Sequence, residues 1–105
     1  MTYAFIQDVP AGERIYREVR AGLGQEAPKG LISHVAIKKR GGGLRYVDVW
    51  ETQADWQRFR DEVVEPTVGA VLASHGIPHD HSLVVFEDIE VIDAWVGEVP
   101  VTAQP

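Results

Sequence analysis

The run Lys39-Arg40-Gly41-Gly42-Gly43 leaves this chain less conformational freedom of choice than any other segment. So glycine-rich a stretch supports neither helix nor strand, and it divides Leu31 to Lys38 from Leu44 to Glu51, two segments rich in Val, Ile and aromatic residues. The two segments must pair as an antiparallel hairpin. A hairpin centred near Gly41 sets residues whose numbers sum to about 82 across from one another. His34 then faces Asp48, Ala36 faces Tyr46 and Ile32 faces Trp50. A slip of one residue would send each partner to the opposite face of the sheet.

The remaining segments fall in place around that hairpin. Tyr3 to Gln7 is short and bulky and stops before Pro10, as a first strand does. Beyond Gly12, Ile15, Tyr16, Val19 and Leu23 recur at helical spacing among Arg14, Arg17, Glu18 and Arg20, with Gly24 as the stop. Thr52 is an N-cap with Asp55 three residues on, and the helix it opens presents Trp56, Phe59 and Val63. Pro66 kinks this helix or begins a second segment, Thr67 to His75, which ends at Gly76. Leu83 to Ile92 reads as a last strand, continued by Ala94, Trp95 and Val96 as an arm. The order β-α-β-β-α-β with right-handed crossovers predicts an α+β, ferredoxin-like antiparallel sheet, strand order 4-1-3-2, with both helices on one face. The domain spans 1–97, and 98–105 form a C-terminal tail. The other sheet face collects Leu31, Val35, Ile37, Val47 and Val49, an apolar surface that a second copy would cover, so a homodimer is expected.

Composition narrows the function classes. At 105 residues there is room for one domain. Sixteen acidic against ten basic residues give a net charge of -6, the wrong sign for a phosphate backbone, so no nucleic-acid partner is expected. No cysteine is present, which excludes disulfides, thiolate metal sites and a Cys nucleophile. The N-terminal residues lack a basic, then apolar, leader pattern, and no window approaches the roughly 20 apolar residues of a membrane span. The chain reads as soluble, unprocessed and cytoplasmic, with no membrane partner.

Two constellations can carry chemistry. The hairpin register puts His34, Asp48, Tyr46 and Trp50 on one sheet face. A carboxylate fixes the tautomer of an imidazole and raises its basicity, so His34 and Asp48 form a candidate catalytic pair, and Tyr46 and Trp50 are candidate aromatic walls for a substrate. The same pair read structurally is a hydrogen-bonded couple in a half-buried sheet. The second constellation is His75, His79, Asp80 and His81. Three imidazoles can ligate a metal, but Gly76 and Pro78 interrupt helical spacing and a His-x-His is expected to point its rings apart. A solvated loop is the preferred reading, with no metal and no other cofactor assigned. Lys38, Lys39 and Arg40 guard an edge strand, and Gly41 to Gly43 lack the following helix of a phosphate loop. Ser33, Ser74 and Ser82 have no nucleophile context. Trp56, Phe59 and Tyr16 occupy core-facing helical positions.

The run Val47-Asp48-Val49-Trp50-Glu51-Thr52, followed by Trp56 and Phe59, resembles the dimeric α/β-barrel superfamily, which includes antibiotic-biosynthesis and haem-degrading monooxygenases. The resemblance extends over nearly the whole chain. It implies two ferredoxin-like subunits closing into an α/β barrel. It also implies a small-molecule-binding protein or a cofactor-independent monooxygenase-like enzyme, acting on an aromatic or polyketide-like compound in a cleft between sheet and helices. Trp50 matches a functional Trp of those families. Their first-strand Asn is replaced here by Phe5 and Gln7, and their helical His has no counterpart before His75. The alternatives are a non-catalytic dimeric ligand carrier or stress-response module, and haem binding through His34 or His75.

Overall fold

A computed structural model describes residues 2–97; the expected tail, 98–105, lies outside the described residues. The elements run β1 (Tyr3–Val9), α1 (Glu13–Gly22), β2 (Leu31–Lys38), β3 (Leu44–Trp50), α2 (Gln53–Phe59), a π-helical turn (Arg60–Val64), α3 (Glu65–Ser74), a 3-10 turn (His81–Leu83) and β4 (Val85–Ile89). The four strands form one antiparallel sheet in the order β2-β3-β1-β4, which is the expected ferredoxin-like topology. The β2–β3 turn closes where the glycines require it. Gly41, Gly42 and Gly43 have φ of +85°, +108° and +78°, and the Lys39 amide donates to the Gly43 carbonyl.

Register follows from that turn with one correction. His34 pairs with Asp48 and Ala36 with Tyr46, but Trp50 pairs with Leu31 and not with Ile32. A bulge between Leu31 and Ser33 inserts Ile32 as an extra residue and reverses the facing of everything before it. Leu31, expected on the open face, therefore turns to the helix side and packs on the core. That core is aromatic and small: Phe5 and Trp50 are 1% exposed and Trp56 is 7% exposed, with Tyr3, Phe59 and Val64 packed around them.

Helix starts and stops obey local chemistry. The Thr52 side chain accepts the Asp55 amide proton at 3.0 Å and donates its own to the Asp55 carboxylate at 2.9 Å, so both groups of the cap are satisfied. Pro66 begins the second segment, as the sequence suggests, but the segment opens two residues before Thr67. The chain widens into the π turn just before it, and α3 begins at Glu65 with Pro66 in its first turn. Proline has no N–H to give and its ring collides with the carbonyl four residues back, a conflict that a wider turn relieves. The last strand is shorter than expected, since Leu83 belongs to the 3-10 turn and β4 ends at Ile89. Ile89 pairs with Ala4, so only Tyr3 of β1 remains beyond it for a longer edge strand to pair with. The following 90–97 segment crosses the open sheet face without pairing, and Ile92 and Trp95 are 99% and 96% exposed.

Gly30 joins the halves of this arrangement. Its φ is +88°, its carbonyl accepts the Glu51 amide at 2.7 Å, and a Cβ placed on it would lie 2.6 Å from the Asp55 Cβ. Gly30→Ala is expected to cost more than about 1 kcal/mol through strain and displacement of the Asp55 cap. That amounts to a melting temperature lower by roughly 4 to 8 °C for a domain of this size. An unchanged melting temperature would show that the loop tolerates a side chain and that the close approach is not structural.

Candidate functional site

Asp48 is the centre of the polar group on the helix side of the sheet. It is 4% exposed, and both of its oxygens are occupied. Oδ1 accepts from His34 Nδ1 at 2.6 Å and Oδ2 accepts from the Trp50 indole N–H at 3.1 Å. A carboxylate offers only lone pairs, so both neighbours donate, and a neutral His34 carries its proton on Nδ1. Its Nε2 is then an acceptor for the Tyr16 hydroxyl, 2.8 Å away on α1. The result is a continuous chain, Trp50 to Asp48 to His34 to Tyr16, with its buried end in the core and its other end at the surface. The His34 side chain is 28% exposed. Tyr46 closes the flank, its ring centroid 5.4 Å from that of Tyr16 and 5.6 Å from that of His34.

All four residues singled out from the sequence thus meet on one face, but they differ in what they can touch. Trp50, expected as a substrate wall, is enclosed by Trp56 at 5.6 Å and Phe59 at 5.7 Å and reaches the site only through its N–H. Beside the pair lies an open groove of about 480 Å³ on α1, lined by Tyr16, Arg17, Arg20, Ala21, Gly24 and Gln25. Arg20 is held there by the Gly24 carbonyl at 2.7 Å, and Arg17 by Glu13. Tyr16, assigned to the core by its helical spacing, is half-buried and belongs to the site. Its position one turn from Arg20 on the helix that crosses β2 was the available signal. Burial raises the phenol pKa of Tyr16, and the Asp48 charge adds to this while Arg20 and Arg17 oppose it. Burial also raises that of Tyr46, with Tyr16 and Asp48 adding to the effect. Both hydroxyls hold their protons at neutral pH.

The other histidines separate. His75 leaves the cluster, its Nε2 2.6 Å from Glu18 on α1. The rings of His79 and His81, expected to diverge, lie with centroids 4.3 Å apart because Asp80 between them is extended, and alternate residues of an extended segment share a side. Glu65, which the sequence did not suggest, reaches both. Of the basic run, Lys38 pairs with Glu13 at 2.8 Å and Lys39 with Asp8 at 3.2 Å, where the edge strand β2 enters its turn. For haem, the structure shows both ring nitrogens of His34 already engaged, and the Nε2 of His75 as well. No helix among the described residues is long and apolar enough to cross a membrane.

No protein-family model matches the chain, and no curated protein matches it. Solved structures do. A protein of Caulobacter crescentus named as a candidate antibiotic biosynthesis monooxygenase is 8% identical, matching 88% of this chain and 91% of its own with a TM-score of 0.64. SnoaB, a cofactor-independent oxygenase from Streptomyces nogalater, is 11% identical over 89% of this chain and 95% of its own, with a TM-score of 0.58. A dimeric ferredoxin-like protein of unknown function from Jannaschia is 16% identical over 86% and 98%, with a TM-score of 0.55. At these identities the likeness establishes the fold alone, a ferredoxin-like α+β fold.

The phenols generate a pH dependence. Tyr3 is pushed up to about 12 by burial and by the Asp88 carboxylate its hydroxyl donates to, and Tyr16 and Tyr46 are raised as well. A raised phenol pKa means the fold holds the proton more tightly than the unfolded chain. The associated stability is complete below the ordinary value of 10.0 and is lost as pH rises through the folded values. Absorbance at 295 nm is expected to show little tyrosinate in the native protein at pH 10, and urea midpoints are expected to fall steadily above it. Half-ionised tyrosines at pH 10 in the folded state would contradict the burial of this cluster.

Proposed function

We propose that this chain is a homodimeric small-molecule-binding protein with monooxygenase-like, cofactor-independent chemistry, in which His34 removes an acidic hydrogen from a phenolic or polyketide-like compound. The observation that carries this reading is the relay from Asp48 through His34 to Tyr16, which brings a buried charge to an accessible base. Asp48 orients the imidazole and stabilises the imidazolium that forms when His34 takes a proton. Tyr16 occupies Nε2 in the absence of substrate. A substrate hydroxyl entering from the groove takes its place or passes its proton through it, and Arg17 and Arg20 then face the anion produced. An electron-rich anion of this kind reacts with dioxygen without a cofactor, the class of activity that SnoaB's name states for that protein. The absence of cysteine suits a reducing cytoplasm.

A non-catalytic carrier is the second reading. It is favoured by the complete satisfaction of buried side-chain polar atoms among the described residues and by the openness of the groove. Asp48→Asn separates the two. For a working base, dioxygen uptake with phenolic and quinol-like compounds is expected to fall by at least about 100-fold with the melting temperature little changed. For a structural pair, melting temperature falls and ligand affinity is retained, which would overturn the catalytic reading.

The dimer rests on the open sheet face. Val35 and Ile37 are 48% and 44% exposed, and Val47, Val49 and Ile89 line a groove of about 510 Å³ beneath the 90–97 segment, whose Trp95 faces water. Covering such a face is worth about 25 cal/mol per Å², and a second copy supplies the same surface in return. Sedimentation is expected to give twice the chain mass, and Val35→Asp, at a position already exposed in the protomer, is expected to give a folded monomer with unchanged far-UV circular dichroism. A wild-type monomer at high concentration, or a dimeric Val35→Asp variant, would place the interface elsewhere.

A further inference from the structure

Glu65, His79 and His81 form a second polar centre, apart from the Asp48 relay and unused by it. Glu65 stands in the first turn of α3, and the two histidines flank Asp80 in the loop before β4. His81 Nε2 lies 3.2 and 3.1 Å from the two Glu65 oxygens, and His79 Nε2 lies 3.4 Å from Oε2. One ligand atom from each residue falls within a 4.8 Å span. Four-coordinate zinc with bonds of roughly 2.0 to 2.1 Å separates neighbouring ligand atoms by about 3.4 Å, so the set is already close to the spacing that an ion requires. We propose that Glu65, His79 and His81 bind a divalent first-row metal ion of the zinc class, tying the start of α3 to the loop that leads into β4.

The donor chemistry fits that class. Two imidazoles and one carboxylate suit Zn²⁺ or its neighbours, whereas Mg²⁺ and Ca²⁺ favour all-oxygen sets. Three protein ligands leave a fourth position for water. The loop is built to keep the rings together: the Asp80 carboxylate accepts from the Ser82 amide at 2.9 Å and from its hydroxyl at 2.6 Å, which holds Asp80 extended and starts the 3-10 turn at His81. An ion would take the place of the imidazole proton that His81 shares with the Glu65 carboxylate and draw His79, 3.4 Å from the same carboxylate, onto one centre. His75 takes no part, being committed to Glu18.

The test is titration of untagged, metal-free protein with ZnCl2 by calorimetry, and with CoCl2 by visible absorption and proton NMR. One Zn²⁺ per chain is expected, with a cobalt spectrum of tetrahedral intensity and paramagnetic shifts confined to His79 and His81. His79→Ala and His81→Ala are each expected to weaken Zn²⁺ at least tenfold, while His75→Ala leaves it unchanged. The NMR readout uses the native chain, so a variant that failed to fold would not remove the test. No saturable binding below millimolar zinc, shifts at His34 or His75 instead, or folded His79→Ala and His81→Ala variants that bind as the wild type does would each overturn the site.

Discussion

A carboxylate taken out of water is tolerated only if its lone pairs are met, and the burial of Asp48 imposes that condition on three elements at once. Trp50, two residues along the same strand, must hold its indole in the plane that reaches Oδ2. His34, across the β2–β3 ladder, must present Nδ1–H to Oδ1, which fixes its tautomer. With Nδ1 committed, Nε2 can only accept, and α1 must lie where the Tyr16 hydroxyl reaches it. One carboxylate thus sets the orientation of a core indole, an edge-strand imidazole and, through that imidazole, a helical phenol.

The aromatic core supplies the rigidity that this arrangement needs. Phe5 meets Trp56 at 4.7 Å and stacks on Phe86 at 4.6 Å, so β1, β4 and α2 are joined through one ring. The helices close over it at short range: a Cβ on Gly22 of α1 would lie 2.7 Å from the Thr67 methyl of α3, so a side chain there would push the two helices apart. A single layer of helices covers a single sheet face. The opposite face is left with Val35, Ile37 and Val85 in water, more apolar surface than a sheet facing solvent ordinarily carries.

The glycine turn made most of the sheet legible. Once Gly41 to Gly43 are placed, the pairing of His34 with Asp48 and of Ala36 with Tyr46 follows from strand periodicity alone. The bulge at Ile32 was hidden because an inserted residue leaves the apolar pattern of Leu31 and Ile32 unchanged, and only the packing of Leu31 on Trp50 reveals which way it turns. Tyr16 was hidden for a different reason. An aromatic residue on a helix stripe reads as core, and its polar end matters only when another chain segment brings it a partner. Glu65 was invisible, since its relation to His79 and His81 is created by the reversal of the chain after α3 and not by any spacing in the sequence.

β3 is where these features are coupled. Its residues alternate strictly, Leu44, Tyr46, Asp48 and Trp50 toward the helices and Arg45, Val47 and Val49 toward the open face. Anything that loads one face therefore acts on the backbone carrying the other. In the proposed dimer, a partner packed over Val47 and Val49 would hold the strand from behind, and the Asp48 carboxylate, one residue from each, would be limited to the position at which both donors reach it. A β3 free to twist would exchange the 2.6 Å contact with His34 for water and leave the imidazole without a fixed tautomer. Self-association and the ordering of the candidate base are on this reading two consequences of one strand, which a shared ferredoxin-like fold does not by itself require.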